Sequence, residues 1–342
     1  MNKIKIGNRI IKEGGDPFFS IEEGQANWGD FEKALRMVDL AAECGADGID
    51  FQLTRADDFY VKSHEEYGCY KRREFSDAQL VELASYVKKS GIELIVTPFS
   101  HKIIQLMADA GCSAFNVNAS DLTNPDVIDT VIKTKLPFFL SLPLATEVEI
   151  NWAVNRILRQ GTENFMLMHG QHTMASGEYG IEVKDTTLGY LSVLKKKYNL
   201  LVGFIDHTPL PWVPACAVAS GADAVSKHMT WDRAIKGPDW QICLEPKEMK
   251  QAIQWVWEVR QSTDAKEKFL APGEEHDRSL MRRSVVAARL IAEGQKISKE
   301  DICFKRPGDG FDPSCYEEIL EKISVRNIQP DEKINLQDVR EK

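Results

Sequence analysis

Eight short apolar segments, most of them followed by an amphipathic stretch of helical length, recur along the first two-thirds of this 342-residue chain. They fall at residues 17–22, 48–52, 94–99, 114–118, 138–142, 165–169, 201–206 and 224–228. Their nearly continuous apolar runs are how strands buried on both faces read. The stretches between them carry helix punctuation. Residues 31–44 place Leu35, Val38, Leu40 and Ala41 near one face, with Asp30 as N-cap and Gly45 as the stop. Residues 76–89 repeat the pattern, with Ser76 as cap and Gly91 beyond the end. Eight strand–helix units in about 260 residues have the count and length of a TIM (β/α)8 barrel of the α/β class. A doubly wound open sheet is the alternative, because periodicity does not show closure. A last helix at 246–261, with Ile253, Val256 and Trp257, would close the barrel.

The chain also shows where such a barrel would end. Residues 1–262 form the expected barrel domain and the charged stretch 263–283 reads as a linker. Residues 284–342 have a different texture, with turn-like Glu293-Gly294-Gln295 and a basic corner at Lys305-Arg306-Pro307-Gly308. A domain that small has little core of its own.

A net charge of −9 disfavours nucleic acid as a partner. No apolar run is long enough to span a membrane, and the N-terminus lacks the apolar stretch of a signal peptide. The seven cysteines are dispersed without a CxxC pair, which reads as reduced thiols in a cytoplasm.

Two segments end in a histidine, Asp206-His207-Thr208 and Lys227-His228-Met229. Imidazoles on neighbouring strand ends can hold one divalent metal, and a metal at a barrel mouth can polarise a carbonyl. The plainer reading of each is a hydrogen-bonded core histidine. Two long connections, 53–75 and 170–185, both follow strands and so belong at the C-terminal face, where barrel enzymes place their sites.

Taken together, Ile6-Gly7-Asn8-Arg9, Thr97-Pro98-Phe99-Ser100, Asp206-His207-Thr208, His228-Met229-Thr230, Gly237-Pro238-Asp239 and Lys305-Arg306-Pro307-Gly308 resemble the N-acetylneuraminate (sialic acid) synthase family, over nearly the whole chain. The resemblance implies a TIM barrel followed by a small antifreeze-like (SAF, β-clip) domain. It also implies a metal-dependent condensation of phosphoenolpyruvate with an N-acetylated aldose, giving a 2-keto sugar acid. The metal would be Mn or Mg, with Zn and Fe left open, held by His207 and His228. Glu22, Asp50, Gln52 and Asp239 would be the catalytic set, and Thr97, Asn116, Asp121, Ser141, His172 and Arg306 would bind substrate. The family further implies a domain-swapped homodimer in which Arg306 reaches the partner's sugar.

The donor half departs from the family pattern. Asp50 stands where a lysine is usual, and Asn116-Val117-Asn118-Ala119-Ser120-Asp121 replaces Lys-Ile-Gly-Ser-Gly-Glu. Ile205 replaces the serine before Asp-His. Phosphoenolpyruvate carries close to three negative charges, so two lost lysines weaken its recognition. Lys184, Lys227, Arg233 and Lys236 are the cations available to compensate, although alternation turns Lys227 away from His228. The chain is therefore expected to be a synthase-like enzyme using phosphoenolpyruvate or another three-carbon donor. The alternatives are a phosphoenolpyruvate-independent aldolase, isomerase or epimerase on the same barrel, and a non-catalytic sugar-binding homologue.

Overall fold

The structure, a computed structural model, describes residues 2–172, 180–263 and 267–341. It divides into compact units, Met1–Ala265 and Lys266–Lys342. The first unit opens with a hairpin, β1 (Lys3–Ile6) and β2 (Arg9–Lys12). Eight parallel strands follow: β3 (Phe18–Glu22), β4 (Gly48–Leu53), β5 (Glu93–Pro98), β6 (Ala114–Val117), β7 (Phe138–Ser141), β8 (Phe165–Gly170), β9 (Val202–Asp206) and β10 (Ala224–His228). β10 pairs with β3, so the sheet is a closed barrel and the open-sheet alternative falls.

Period-2 alternation sorts each strand into two faces. Phe19, Ile21, Ile49, Phe51, Leu94, Val96, Phe115 and Val117 pack outward in the layer shared with the helices. Inward, Phe18, Ile95, Ala114, Phe139, Met166, Leu201 and Ala224 fill the lower barrel and meet Ile4, Ile6 and Ile11 of the N-terminal hairpin. The hairpin therefore plugs the bottom. Its alternating Lys3-Ile4-Lys5-Ile6 and its Gly7-Asn8 turn carried that signal, but it was read only as part of a motif.

The helix ends follow the cap residues. Helix Phe31–Cys44 starts where Asp30 accepts from the Lys33 amide and stops at Gly45, with φ 84°. Helix Asp77–Lys89 begins with a reciprocal Ser76–Gln79 capping box. Helix Pro246–Thr263 buries Met249, Ala252, Ile253 and Val256. The connection 53–75 contains short helices Ala56–Phe59 and Tyr67–Arg72. Residues 173–179 of the second long connection lie outside the described residues.

The second unit begins before the expected boundary. The stretch read as a linker carries helix Glu274–Met281. Two short antiparallel pairs follow, β11 (Ser284–Ala287) with β12 (Ile302–Lys305) and β13 (Ile323–Ser324) with β14 (Val339–Arg340). Val285, Ala287, Ile291, Ile297, Ile302, Ile319, Ile328 and Ile334 form its core. All seven cysteines are free thiols. No described helix is long and apolar enough to cross a membrane.

Candidate active site

The polarity of the barrel lumen changes towards its C-terminal end. The inward positions there are Glu22, Asp50, Gln52, Thr97, Asn116, Ser141 and His228, with His207 just beyond the end of β9. They form two walls of different chemistry.

On the β9–β10–β3 wall the rings of His207 and His228 lie 5.1 Å apart, and the ring of His172 lies 4.7 Å from that of His207. Nε2 of His228 is 3.3 Å from Oε1 of Glu22 and 4.0 Å from Oδ2 of Asp239. The Gln52 amide donates to the same Glu22 oxygen at 2.6 Å. Burial alone would raise the Glu22 carboxyl. The charge and hydrogen bond of His228, with help from His207 and Gln52, outweigh it and hold Glu22 at about 2. Burial likewise opposes a charged His228, but Glu22 overcomes it and the imidazole titrates above its ordinary value. Burial, reinforced by His228 and His172, drives His207 well below its ordinary value and keeps it neutral. Burial also lowers His172. Nδ1 of both His207 and His228 is buried without a hydrogen-bond partner.

Behind this wall, on the outward face, the residues next to the two histidines are joined. Lys227 Nζ lies 2.9 Å from Asp206 Oδ2 with both side chains fully buried, and Lys227 also donates to the Thr208 carbonyl. Lys227 therefore points away from the mouth.

The β4–β7 wall is a closed polar network. Thr97 Oγ1 donates to Asp50 at 2.8 Å, Asn116 Nδ2 donates to Asp50 at 2.9 Å, and Ser141 Oγ donates to Asn116 Oδ1 at 2.7 Å. Burial, then the charge of Glu22, pushes the Asp50 carboxyl up to about 7 against those hydrogen bonds. No cation takes part in this wall among the described residues.

The remaining candidates stand elsewhere. Asp121 is buried but holds the turn after β6, accepting from Asn124 at 2.7 Å and from Ser120. Arg306 is exposed on the second unit, beside a cis Arg306–Pro307 bond. Lys184 pairs with Glu182, Arg233 pairs with Glu245 and Glu248, and Lys236 lies over the Trp240 ring. His169 faces away from the lumen, with Nε2 3.0 Å from Thr187 Oγ1.

Sequence reading missed the part played by Glu23. Its buried carboxylate accepts from the Gln25 amide at 3.0 Å and from the Asn27 amide and side chain at 2.6 and 2.8 Å. It thereby holds a loop in which Gly24, Gln25, Trp28 and Gly29 all have positive φ. A Cβ on Gly24 would come within 2.8 Å of the His228 ring, so only glycine lets the loop pass so close. Two adjacent acids, Glu22 and Glu23, look alike in the sequence; strand parity sends the first into the lumen and the second into the loop.

Residues 37–268 match the NeuB family, and residues 282–340 match the SAF domain. The chain belongs to the NeuB family. It is 34% identical to an uncharacterised protein of Methanocaldococcus jannaschii, covering 98% of this chain and 97% of that protein. It is 28% identical to the N,N'-diacetyllegionaminic acid synthase of Campylobacter jejuni, over 92% of this chain and 97% of that enzyme. The crystal structure of the sialic acid synthetase of Leptospira borgpetersenii, in complex with citrate, superposes with a TM-score of 0.74 at 28% identity, covering 81% of this chain and 95% of that one. Membership places this NeuB chain among enzymes that form carbon–carbon bonds.

Proposed function

We propose that the barrel mouth carries out a metal-assisted, aldol-type condensation of a three-carbon enol donor with an aldose, giving a 2-keto sugar acid. The observation that carries this reading is the pair His207 and His228, 5.1 Å apart between ring centres, with Glu22 against one of them.

The residues suit a divalent cation. His207 is neutral, two imidazole nitrogens are buried without partners, and the Glu22 and Asp239 carboxylates are adjacent. Neutral imidazole with carboxylate is a donor set for Mn, Mg, Zn or Fe. Among the described residues no three His, Cys, Asp or Glu groups already form a metal-ligating cluster, and Glu22 instead holds His228. His228 would have to give up the proton that Glu22 favours on it before its nitrogen could hold a cation. The bound cation would supply Lewis-acid polarisation of the aldose carbonyl. Gln52 orients the Glu22 carboxylate, while Asp239 and His172 flank the imidazoles.

Asp50, Thr97, Asn116 and Ser141 would form the floor against which the donor lies. Asp50, titrating near 7, can hold or release a proton at working pH. This lysine-free floor also favours a second reading, a donor without phosphate such as pyruvate, in an aldolase that uses the same mouth. The free thiols suit a cytoplasmic enzyme. A homodimer in which Arg306 serves the partner's sugar remains part of the proposal.

The test is to incubate the protein and Mn with phosphoenolpyruvate or pyruvate and a panel of N-acylated aldoses. Phosphate release matched by keto-acid formation supports the first reading. Keto acid formed from pyruvate alone supports the second. Neither product with any aldose sinks both.

A further inference from the structure

We propose that Arg73 binds the anionic group, carboxylate or phosphate, of the substrate at the barrel mouth. The inference rests on the reading that the mouth holds the reacting molecules.

Arg73 ends the long connection after β4, and three observations set it apart from the other cations. First, its charge has no carboxylate partner among the described residues. One N–H donates to Gln25 Oε1 at 2.8 Å, which leaves the other donors of the guanidinium fork open. By contrast Lys227, Arg233, Lys184 and Arg55 all face carboxylates, and Lys236, which also lies over an indole ring, lacks the paired donors of a guanidinium.

Second, the guanidinium lies close to two aromatic rings. Its central carbon lies 4.7 Å from the centre of the Trp28 ring and 5.9 Å from that of Tyr70. A half-buried arginine beside two aromatic rings is restrained before any ligand arrives.

Third, the loop that holds it is specialised and adjoins the reacting groups. Gln25 and Trp28 both sit in left-handed conformations, which Glu23 sustains from within. Such local strain marks a position fixed for more than packing. A Cβ on Gly29 would stand 2.6 Å from Arg73 Cα, so the two segments touch backbone to backbone. A Cβ on Gly237 would stand 3.3 Å from Trp28 Nε1, and Asp239, two residues further on, faces His228. Arg73 also shares a small cavity of about 20 Å³ with Gln52, the residue that holds Glu22.

The mouth is otherwise dominated by the carboxylates of Glu22, Asp50 and Asp239. An anionic substrate needs a compensating cation there. Arg73 supplies one from the loop side of the mouth instead of the strand floor, where the family pattern has lysines.

The experiment is calorimetric titration of phosphoenolpyruvate, pyruvate and inorganic phosphate into the purified protein, with and without Mn. It compares the unaltered chain with Arg73→Gln, Arg73→Lys and, as control, Arg72→Gln at the exposed neighbouring position. Circular dichroism confirms that each variant is folded, and Arg73→Lys provides the test should Arg73→Gln fail to fold. Loss of charge-assisted hydrogen bonds predicts affinity about 10- to 100-fold weaker in Arg73→Gln, an intermediate loss in Arg73→Lys, and no change in Arg72→Gln. Dependence on Arg73 for pyruvate but not phosphate assigns the carboxylate, and the reverse assigns the phosphate. Phosphoenolpyruvate binding unchanged in the Arg73 variants overturns the inference and leaves the donor reading intact. Pyruvate or phosphate binding that depends on Arg73, without phosphoenolpyruvate binding, upholds the inference while that donor falls. No binding of any of the three anions overturns both.

Discussion

The two walls of the barrel mouth come from the same fold and differ in what they leave undone. On the β4–β7 wall, Asp50, Thr97, Asn116 and Ser141 pass hydrogen bonds from one strand to the next. On the β9–β10–β3 wall, two imidazoles each keep a buried nitrogen without a partner. A satisfied buried network gains little from a ligand, whereas buried groups left unpaired are costly until something pairs them. The contrast separates a wall whose polar groups satisfy one another from a wall that keeps two imidazole nitrogens unpaired.

The sharpest way to break this comparison is to remove one of the two imidazoles. His228→Ala should reduce Mn retained after desalting to background and abolish condensation, as metal analysis and product assay will show. A variant that keeps its metal would contradict the assignment of the wall. The next effect in size acts from behind. Lys227→Met leaves Asp206 charged and buried, and should cost about 3–5 kcal/mol of stability, measured by denaturant unfolding. On the closed wall, Asn116→Leu strands the hydroxyl of Ser141 and removes a donor from Asp50. A loss of about 1–3 kcal/mol is expected, lowering Tm by about 2–4 °C per kcal/mol. An unchanged melting curve would mean that the network contributes nothing.

The last effect concerns pH. The Asp50 carboxyl titrates at about 7 in the fold against an ordinary 3.8, so the native state holds an extra proton between those values. Stability should therefore fall as pH rises through that window, and Asp50→Asn should make the curve of Tm against pH shallower between about 4 and 8, with Glu23, which burial also raises to about 7, supplying the remaining slope. If the variant shows the same slope, Asp50 is not the group responsible.

Much of the frame was legible because it depends on local rules. Buried strands need continuous apolar runs, and Asp30, Gly45 and Ser76 mark helix ends by the bonds they make. The pair His207 and His228 could be found because each closes a strand of the same barrel. What failed to show was long-range. Nothing in the sequence tells that Thr97, Asn116 and Ser141 touch one another, since barrel register decides it. Arg73 lies in a long polar and aromatic connection with several other charges, and only the fold brings it against Trp28. The resemblance implies substrate binding for Asp121, and the sequence does not show that its carboxylate holds the turn after β6.

The buried bond between Asp206 and Lys227 has a further consequence. Each of these residues directly precedes one of the two histidines, on the far side of the sheet from any substrate. The ion pair thus ties together the two strand ends that carry the imidazoles, from outside the mouth. A substitution there would alter the spacing of the two imidazoles while leaving the side chains of the lumen in place, so the geometry of the histidine pair can change separately from the pocket it faces.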